Sequence, residues 1–280
     1  MLCRALFGAA AVVLAAAACP ARAGMLAQVI PAKLNLTVRP GEPVTRDVVV
    51  TNQGDVPVVV RPRWSDLLVD GAGNLTLLPP GSIPASLVGA VRIDPLQFSL
   101  QPGESGVVHV TLTLPPDGPP TRWGVLLSEV RPAVATQCRL GPRIAGQLGT
   151  TIYLSKVPPD RIHAEMIALE AACLGTDSIA VRVGLRNAGE RHFYASGQVS
   201  LSDSSGTVLR SGSIPTGVVL PGVTRLFTWT GEAGLAAGRY KLTATLDSGE
   251  PELLVGESWI DWRVAPGGLE RVATAQPARP

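Results

Sequence analysis

The apolar positions of this chain recur mostly at every second residue, in short runs that are separated by turn residues. Alternation of this kind is visible from Val44 to Thr51, from Val107 to Leu114 and from Leu242 to Leu246. Because the side chains of a strand point alternately to opposite faces, such runs predict strands with one buried face. No window of helical length in the sequence carries a sustained apolar stripe with helical spacing. The pattern therefore predicts an all-β protein.

The predicted strands fall into two sets of similar size. The first set covers about 28–38, 44–52, 56–66, 91–100, 106–114, 122–131 and 144–155, and the second about 162–173, 178–187, 193–202, 207–213, 223–230, 239–246 and 253–264. About seven short strands are typical of one immunoglobulin-like sandwich. We therefore predict two consecutive immunoglobulin-like β-sandwich domains, over residues 24–157 and 160–264.

The two sets share the same order of turn residues. A strand runs into Asn-x-Gly at Asn52 in the first set and at Asn187 in the second, and a Pro-Gly pair precedes a later strand at Pro102 and at Pro221. Proline fixes φ near −65° and glycine accepts a positive φ, which together are typical of a type II turn. The shared order predicts two similar sandwiches. The prolines between Lys156 and Asp160 predict a short, stiff linker that fixes the angle between them.

The first 23 residues are typical of a secretory signal peptide. Arg4 precedes an apolar run of about 14 residues, shorter than the roughly 20 that span a bilayer, and Ala21-Arg22-Ala23 is a cleavage pattern. An alternative places lipoprotein processing at Cys19. We predict a periplasmic protein, with secretion or the cell surface as the alternative, and no membrane insertion once the signal is removed. Residues 265–280 show no periodicity and predict a disordered tail.

Charge and cysteine content narrow the classes of function. Of 24 Lys+Arg, Arg4 and Arg22 leave with the signal, so 22 remain against 22 Asp+Glu. A net charge near zero argues against nucleic acid as a partner. The remaining cysteines, Cys138 and Cys173, either pair in a disulfide or stay separate thiols, and their spacing fits no zinc pattern. We predict no metal and no cofactor.

Catalytic motifs are missing from the sequence. The three histidines lie far apart in the sequence, and neither a nucleophile elbow nor a phosphate-binding glycine loop occurs. The chain is therefore predicted not to be an enzyme. A structural or adhesive surface module remains the main alternative to an assembly factor, and a carbohydrate-binding or enzymatic role is the third class.

The first predicted domain resembles the amino-terminal domain of the PapD-type periplasmic chaperones of pilus assembly. The likeness lies in Leu34 to Val38 followed by Pro40-Gly41, in Val48 to Asn52, in Phe98 to Glu104, and in Ile144 to Leu154. The segment Leu185 to Gly189 is similar to the pattern that opens the chaperones' second sandwich. The resemblance spans about residues 30–264, and its motifs are of low specificity.

The resemblance implies that the last strand of the first domain pairs with the edge of a pilus or surface subunit, as a monomeric chaperone does. Leu148, Thr150, Ile152 and Leu154 share one face of that strand and are the predicted contacts; the same face would equally line the domain's own core. Chaperones of this family anchor a client's terminal carboxylate with an Arg and a Lys. Those positions fall near Leu36 and Tyr153, neither of which is basic, so Lys33, Arg143 and Lys156 are the predicted substitutes.

Overall fold

The computed structural model describes residues 25–133, 145–158, 162–174, 178–232 and 234–262. The predicted signal peptide, Cys138, Arg143 and the predicted tail lie outside the described residues. For Cys173 the structure describes the backbone alone. The predictions on the signal, the cysteine pair and the tail therefore stay predictions.

Seventeen strands make up the regular structure of the described residues. The first ten are β1 (Ala27–Ile30), β2 (Lys33–Val38), β3 (Pro43–Asn52), β4 (Val58–Val69), β5 (Leu75–Leu78), β6 (Val91–Asp94), β7 (Phe98–Leu100), β8 (Ser105–Thr113), β9 (Thr121–Pro132) and β10 (Gly146–Lys156). The other seven are β11 (Ala164–Leu174), β12 (Ser178–Asn187), β13 (Phe193–Ser202), β14 (Val208–Val219), β15 (Thr224–Glu232), β16 (Gly238–Asp247) and β17 (Leu254–Trp262). No helix occurs in these ranges. The described residues therefore contain no helix that is long and apolar enough to span a membrane.

The strands form four sheets, two from each half of the chain. In the first half, β1-β3-β8-β6 faces β2-β10-β9-β4-β5, with β7 paired to β4; in the second, β11-β12-β15 faces β14-β13-β16-β17. Each half has its own apolar core, which the alternating strands bury between two sheets. The predicted fold class, two consecutive immunoglobulin-like sandwiches, is confirmed. We name β1–β10 the first sandwich and β11–β17 the second; the exact domain boundaries stay predictions.

The strand predictions differ from the structure mainly at the start of the first sandwich. The strand predicted over 28–38 is divided into β1, which pairs with β3, and β2, which pairs with β10 in the other sheet. Pro31 lies at the division and has no N–H to continue a ladder. Two other differences are smaller: the strand predicted over 91–100 is also divided, and β5 was not predicted because four residues are too few to show a period.

The shared Asn-x-Gly and Pro-Gly motifs form the same corner in both sandwiches. Nδ2 of Asn52 donates to the carbonyls of Val56 and Leu100 at 2.8 and 3.3 Å, and Nδ2 of Asn187 donates to those of Arg191 and Val219 at 2.8 and 3.0 Å. Each asparagine carbonyl accepts from the glycine of the Pro-Gly turn, at 2.8 Å from Gly103 and 3.0 Å from Gly222. Both glycines have a positive φ, as the turn type requires.

A third apolar cluster joins the two sandwiches. Leu67, Val125 and Tyr153 of the first sandwich are buried in it together with Leu220 of the second. Beside it, the tip of the β4–β5 hairpin reaches the second sandwich, where the carbonyl of Gly71 accepts from the N–H of Leu226 at 2.6 Å. The sandwiches are thus held against each other by packing, and the stiff linker between Lys156 and Asp160 stays a prediction.

Candidate functional site

The strand β10 is only partly covered on one of its two sides. It pairs with β9 from Gly146 to Ser155, but its pairing with β2 on the other side begins at Thr151, opposite Lys33. The chain upstream of β2 has already crossed into the other sheet as β1. Residues Gly146 to Gly149 therefore have no strand on the side away from β9 among the described residues. We name this side of 146–149 the free edge.

The free edge presents backbone groups that are suited to pairing. The N–H of Thr151 points to the β2 side, because it donates to the carbonyl of Ala32 at 3.0 Å. Backbone groups of a strand alternate in direction, so the N–H and C=O groups of Gln147 and Gly149 point to the same side. Neither has a β-ladder partner there in the described part of the chain. Unpaired groups of this kind accept an added strand.

Apolar side chains surround the free edge. Partly buried apolar side chains pack here against the core of the first sandwich: Leu148 on β10, and Met25, Ala27 and Val29 at the start of the described residues. These side chains lie where the two sheets part, between β1 in one sheet and β10 in the other. The sequence of the free edge, Gly-Gln-Leu-Gly, carries no charge. Charged side chains are the common protection of an exposed edge, and this one lacks them.

The structure separates the four predicted contact residues. Ile152 and Leu154 are fully buried in the core of the first sandwich. Thr150 is also buried, and its hydroxyl donates to the carbonyl of Pro31 at 2.7 Å. Leu148 alone is partly exposed, at the free edge.

The predicted cations do not meet at one point. Lys33 pairs with Thr151 and Lys156 with Val38, at the two ends of the β2–β10 ladder, roughly 16 Å apart at strand spacing. Nζ of Lys156 lies 4.0 Å from a carboxylate oxygen of Glu190 in the second sandwich. Nζ of Lys33 lies 3.9 Å from the ring centroid of Tyr194, also in the second sandwich. Arg143 lies outside the described residues.

Aromatic side chains of both sandwiches meet beside Lys33. The ring of His192 stacks on that of Tyr153 with centroids 4.3 Å apart and planes 17° apart. Tyr194 meets both rings edge-on, at 6.2 Å from Tyr153 and 5.8 Å from His192. Tyr153 and His192 are 3% and 8% exposed. This cluster occupies the position where the resemblance implied a basic residue on the last strand.

Asn35 connects the cluster to β2. Its Oδ1 lies 3.3 Å from Nε2 of His192 and accepts from the Tyr194 hydroxyl at 3.4 Å. Asn35 pairs with Tyr153 in the ladder, whereas Leu36 is buried in the core of the first sandwich. Successive strand residues face opposite ways, so Asn35, rather than the Leu36 of the motif alignment, lies on the side of the second sandwich.

Burial sets the ionisation of these rings. Burial, together with the positive charges of Arg191 and Lys33, lowers the pKa of His192 to about 4. Burial also raises the pKa of Tyr153 and of Tyr194 above the usual tyrosine value. Near neutral pH all three rings are therefore uncharged. The positive charge of this region comes from Lys33 and Arg191.

A cleft of about 200 Å³ opens next to this cluster, between β2 and the second sandwich. We name it the cleft; it is lined by Asn35, Leu36, Thr37, Ser155, Ile162, Arg191, His192, Phe193, Tyr194, Ser248 and Gly249. Arg191 is the charged residue of this lining, and no acidic residue belongs to it. A small cavity with a cation, several hydroxyls and an amide suits an anion such as a carboxylate.

Sequence reasoning identified β2 and β10 but not the second half of the site. Arg191, His192 and Tyr194 lie about 157 residues from Asn35 along the chain. The sequence showed His192 only as one of three histidines that lie apart from one another. No local pattern distinguishes these three residues, because their role depends on how one sandwich packs on the other. Among the described residues no cluster of His, Cys, Asp and Glu suited to a metal ion was found.

Comparison with known proteins gives a likeness of fold. No protein-family model matches the chain, and no curated protein matches it. The solved structures that it resembles include the class 5 fimbriae chaperone CfaA, with 13% identity and a TM-score of 0.45 over 83% of this chain and 98% of that one. The CupB2 chaperone of Pseudomonas aeruginosa has 16% identity and a TM-score of 0.41, over 79% of this chain and 95% of that one.

A third similar structure is the CsuC–CsuE chaperone–tip adhesion subunit complex from the chaperone-usher Csu pili of Acinetobacter baumannii. It has 13% identity and a TM-score of 0.38, over 72% of this chain and 89% of that one. At such identities and scores the likeness concerns the fold and not the function. The solved structures that the chain resembles include chaperones of the kind that the sequence indicated.

Proposed function

We propose that this chain is an exported, non-enzymatic chaperone-like protein that binds other polypeptides, such as subunits of pili or other surface structures. The observation that carries the proposal is the free edge of β10, which is unpaired, uncharged and flanked by partly exposed apolar side chains. A client strand added there makes main-chain hydrogen bonds to Gln147 and Gly149. Leu148 and its apolar neighbours supply the side-chain contacts. The proposed place of action is the periplasm.

The position of β2 sets the length and direction of the added strand. β2 takes over the same side of β10 from Thr151 onward, so the client strand covers about five residues, roughly 16 Å. A client strand that runs parallel to β10 ends where Lys33 begins. Its terminal carboxylate then lies beside the cleft, where Lys33 and Arg191 provide positive charge. The anchor would thus combine one cation from each sandwich, instead of two from the first.

The test of strand pairing is capture of clients by tagged mature protein from the periplasm. Gln147→Pro removes an N–H from the free edge and leaves the ladder with β9 intact, because that N–H points away from β9. We expect captured client to fall about tenfold, the effect of losing one or two main-chain hydrogen bonds and the strand fit. Leu148→Asp, which puts a charge on the edge, should have a similar effect.

The matched control is Val255→Asp on β17, an exposed position on an edge strand of the second sandwich. It should leave client capture unchanged, and circular dichroism should show native strand content for all three variants. If the Gln147→Pro and Leu148→Asp proteins are folded and capture as much client as the unchanged protein, pairing at the free edge is refuted.

A further inference from the structure

One ring nitrogen of His192 has no hydrogen-bond partner among the described residues. Oδ1 of Asn35 can only accept a hydrogen bond, so Nε2 of His192, 3.3 Å away, carries the ring proton. Nδ1 of the neutral ring is then a bare acceptor. It is buried and has no hydrogen-bond partner among the described residues. A buried polar atom without a partner costs about 1–3 kcal/mol, which makes it a candidate for contact with a ligand.

Two of the four groups that surround His192 are positively charged. Lys33 comes from β2, Arg191 precedes His192 in the chain, Tyr153 comes from β10 and Tyr194 from β13. The two tyrosines are neutral, since burial raises their pKa values. No carboxylate lines the adjoining cleft. Burial and two cations thus keep His192 neutral.

We propose that binding of a carboxylate in the cleft is coupled to the uptake of one proton by Nδ1 of His192. This rests on the proposed function, whose client carboxylate it concerns. The proton comes from solvent, and the new N–H donates to a carboxylate oxygen. The bound anion offsets the charge of Lys33 and Arg191, which add to burial in keeping His192 neutral. The unpaired nitrogen then gains a partner.

The coupling has a definite sign. A carboxylate that brings a proton with it binds more tightly as the pH falls, by up to about tenfold per pH unit in the range where the proton is taken up. A simple clamp made of lysine and arginine gives the same affinity from pH 5 to pH 8, because neither side chain titrates there. The pH dependence therefore separates the coupled site from the simple clamp.

The experiment uses the folded mature chain with ¹⁵N-labelled histidine and N-acetylglycine as the carboxylate probe. Nitrogen chemical shifts of His192 are followed by NMR between pH 3.5 and pH 8, with and without the probe. N-acetylglycinamide, which is neutral, and sodium chloride at equal ionic strength are the controls. We expect the titration midpoint of His192 to rise by at least one pH unit with N-acetylglycine and with neither control.

Two results would overturn the coupling. One is binding of N-acetylglycine, seen in the backbone shifts around Lys33 and Arg191, with an unchanged His192 midpoint. The other is no perturbation of the cleft at all. Both leave strand pairing intact if Gln147→Pro still lowers client capture about tenfold, so failure of the coupling is distinguishable from failure of the proposed function. In His192→Gln the pH dependence of probe binding should disappear, whereas the exposed His163→Gln should retain it.

Discussion

The last strands of the two sandwiches, β10 and β17, each have a side that is open to solvent. They differ in the charge of the residues exposed there. β17 pairs only with β16 along its whole described length, and its outward face carries Glu257 and Asp261. Nζ of Lys241 lies 2.7 Å from Glu257 in an ion pair. β10 is covered by β2 over half its length, and its uncovered half has no charge. The charged edge is typical of a strand that resists pairing, and the uncharged one of a strand available for it.

The largest expected effect on stability comes from placing a charge in the covered half of β10. Ile152→Asp buries a carboxylate without a partner in the core of the first sandwich, where Ile152 is fully buried. We expect a loss of about 4 kcal/mol or more in the free energy of unfolding, measured by urea denaturation. Leu148→Asp, on the free edge four residues earlier, should cost less than half as much. Equal losses would show that the two halves of β10 do not differ in burial.

The protonation of His192 gives the next largest expected change in the free energy of unfolding. Its pKa is about 4 in the folded protein, against the usual histidine value of 6.5. The unfolded chain therefore takes up a proton first, so the stabilisation is fully present above pH 6.5 and is lost as the pH falls toward 4. The loss is about 3 kcal/mol. Urea denaturation at several pH values should show a shallower dependence for His192→Gln than for the unchanged protein; His163→Gln should match the latter.

The repeated asparagine corner makes the two sandwiches alike where their last strands differ. Asn52→Ala and Asn187→Ala each remove a side-chain donor from two carbonyls and a side-chain acceptor from one glycine N–H. We expect a loss of about 2–3 kcal/mol for each, measured by urea denaturation. Since the geometry is the same, the two losses should agree within about 1 kcal/mol. A loss confined to one sandwich would contradict the equivalence of the corners.

The smallest expected effect on stability concerns the charges of β17. Replacing Glu257 and Asp261 together by valine should change the free energy of unfolding by less than about 1 kcal/mol, because exposed ion pairs contribute little. The same variant should self-associate, since it exposes an uncharged edge. Sedimentation velocity at rising protein concentration tests this. A variant that stays monomeric would show that charge is not what keeps the β17 edge unpaired.

Local patterns predicted most of the fold but only part of the candidate site. The alternation in β3, β8 and β16 is a property of neighbouring residues, and so are the Asn-x-Gly and Pro-Gly corners; both appear where the sequence placed them. The interpretation of β10 was less complete. Its alternating face was recognised, but the same pattern fits a core and a contact surface. Only the path of β2 beside Thr151 separates the covered half from the free one.

The amino-acid sequence by itself determined two sandwiches in succession, because a period of two residues commits each strand to one buried face wherever it lies in the chain. The tertiary structure decided which half of β10 stays unpaired and which cations face the cleft. Asn35 and His192 meet across about 157 residues, through packing of one sandwich on the other. Contacts of that kind depend on the shape of whole sheets, which no short stretch of sequence specifies.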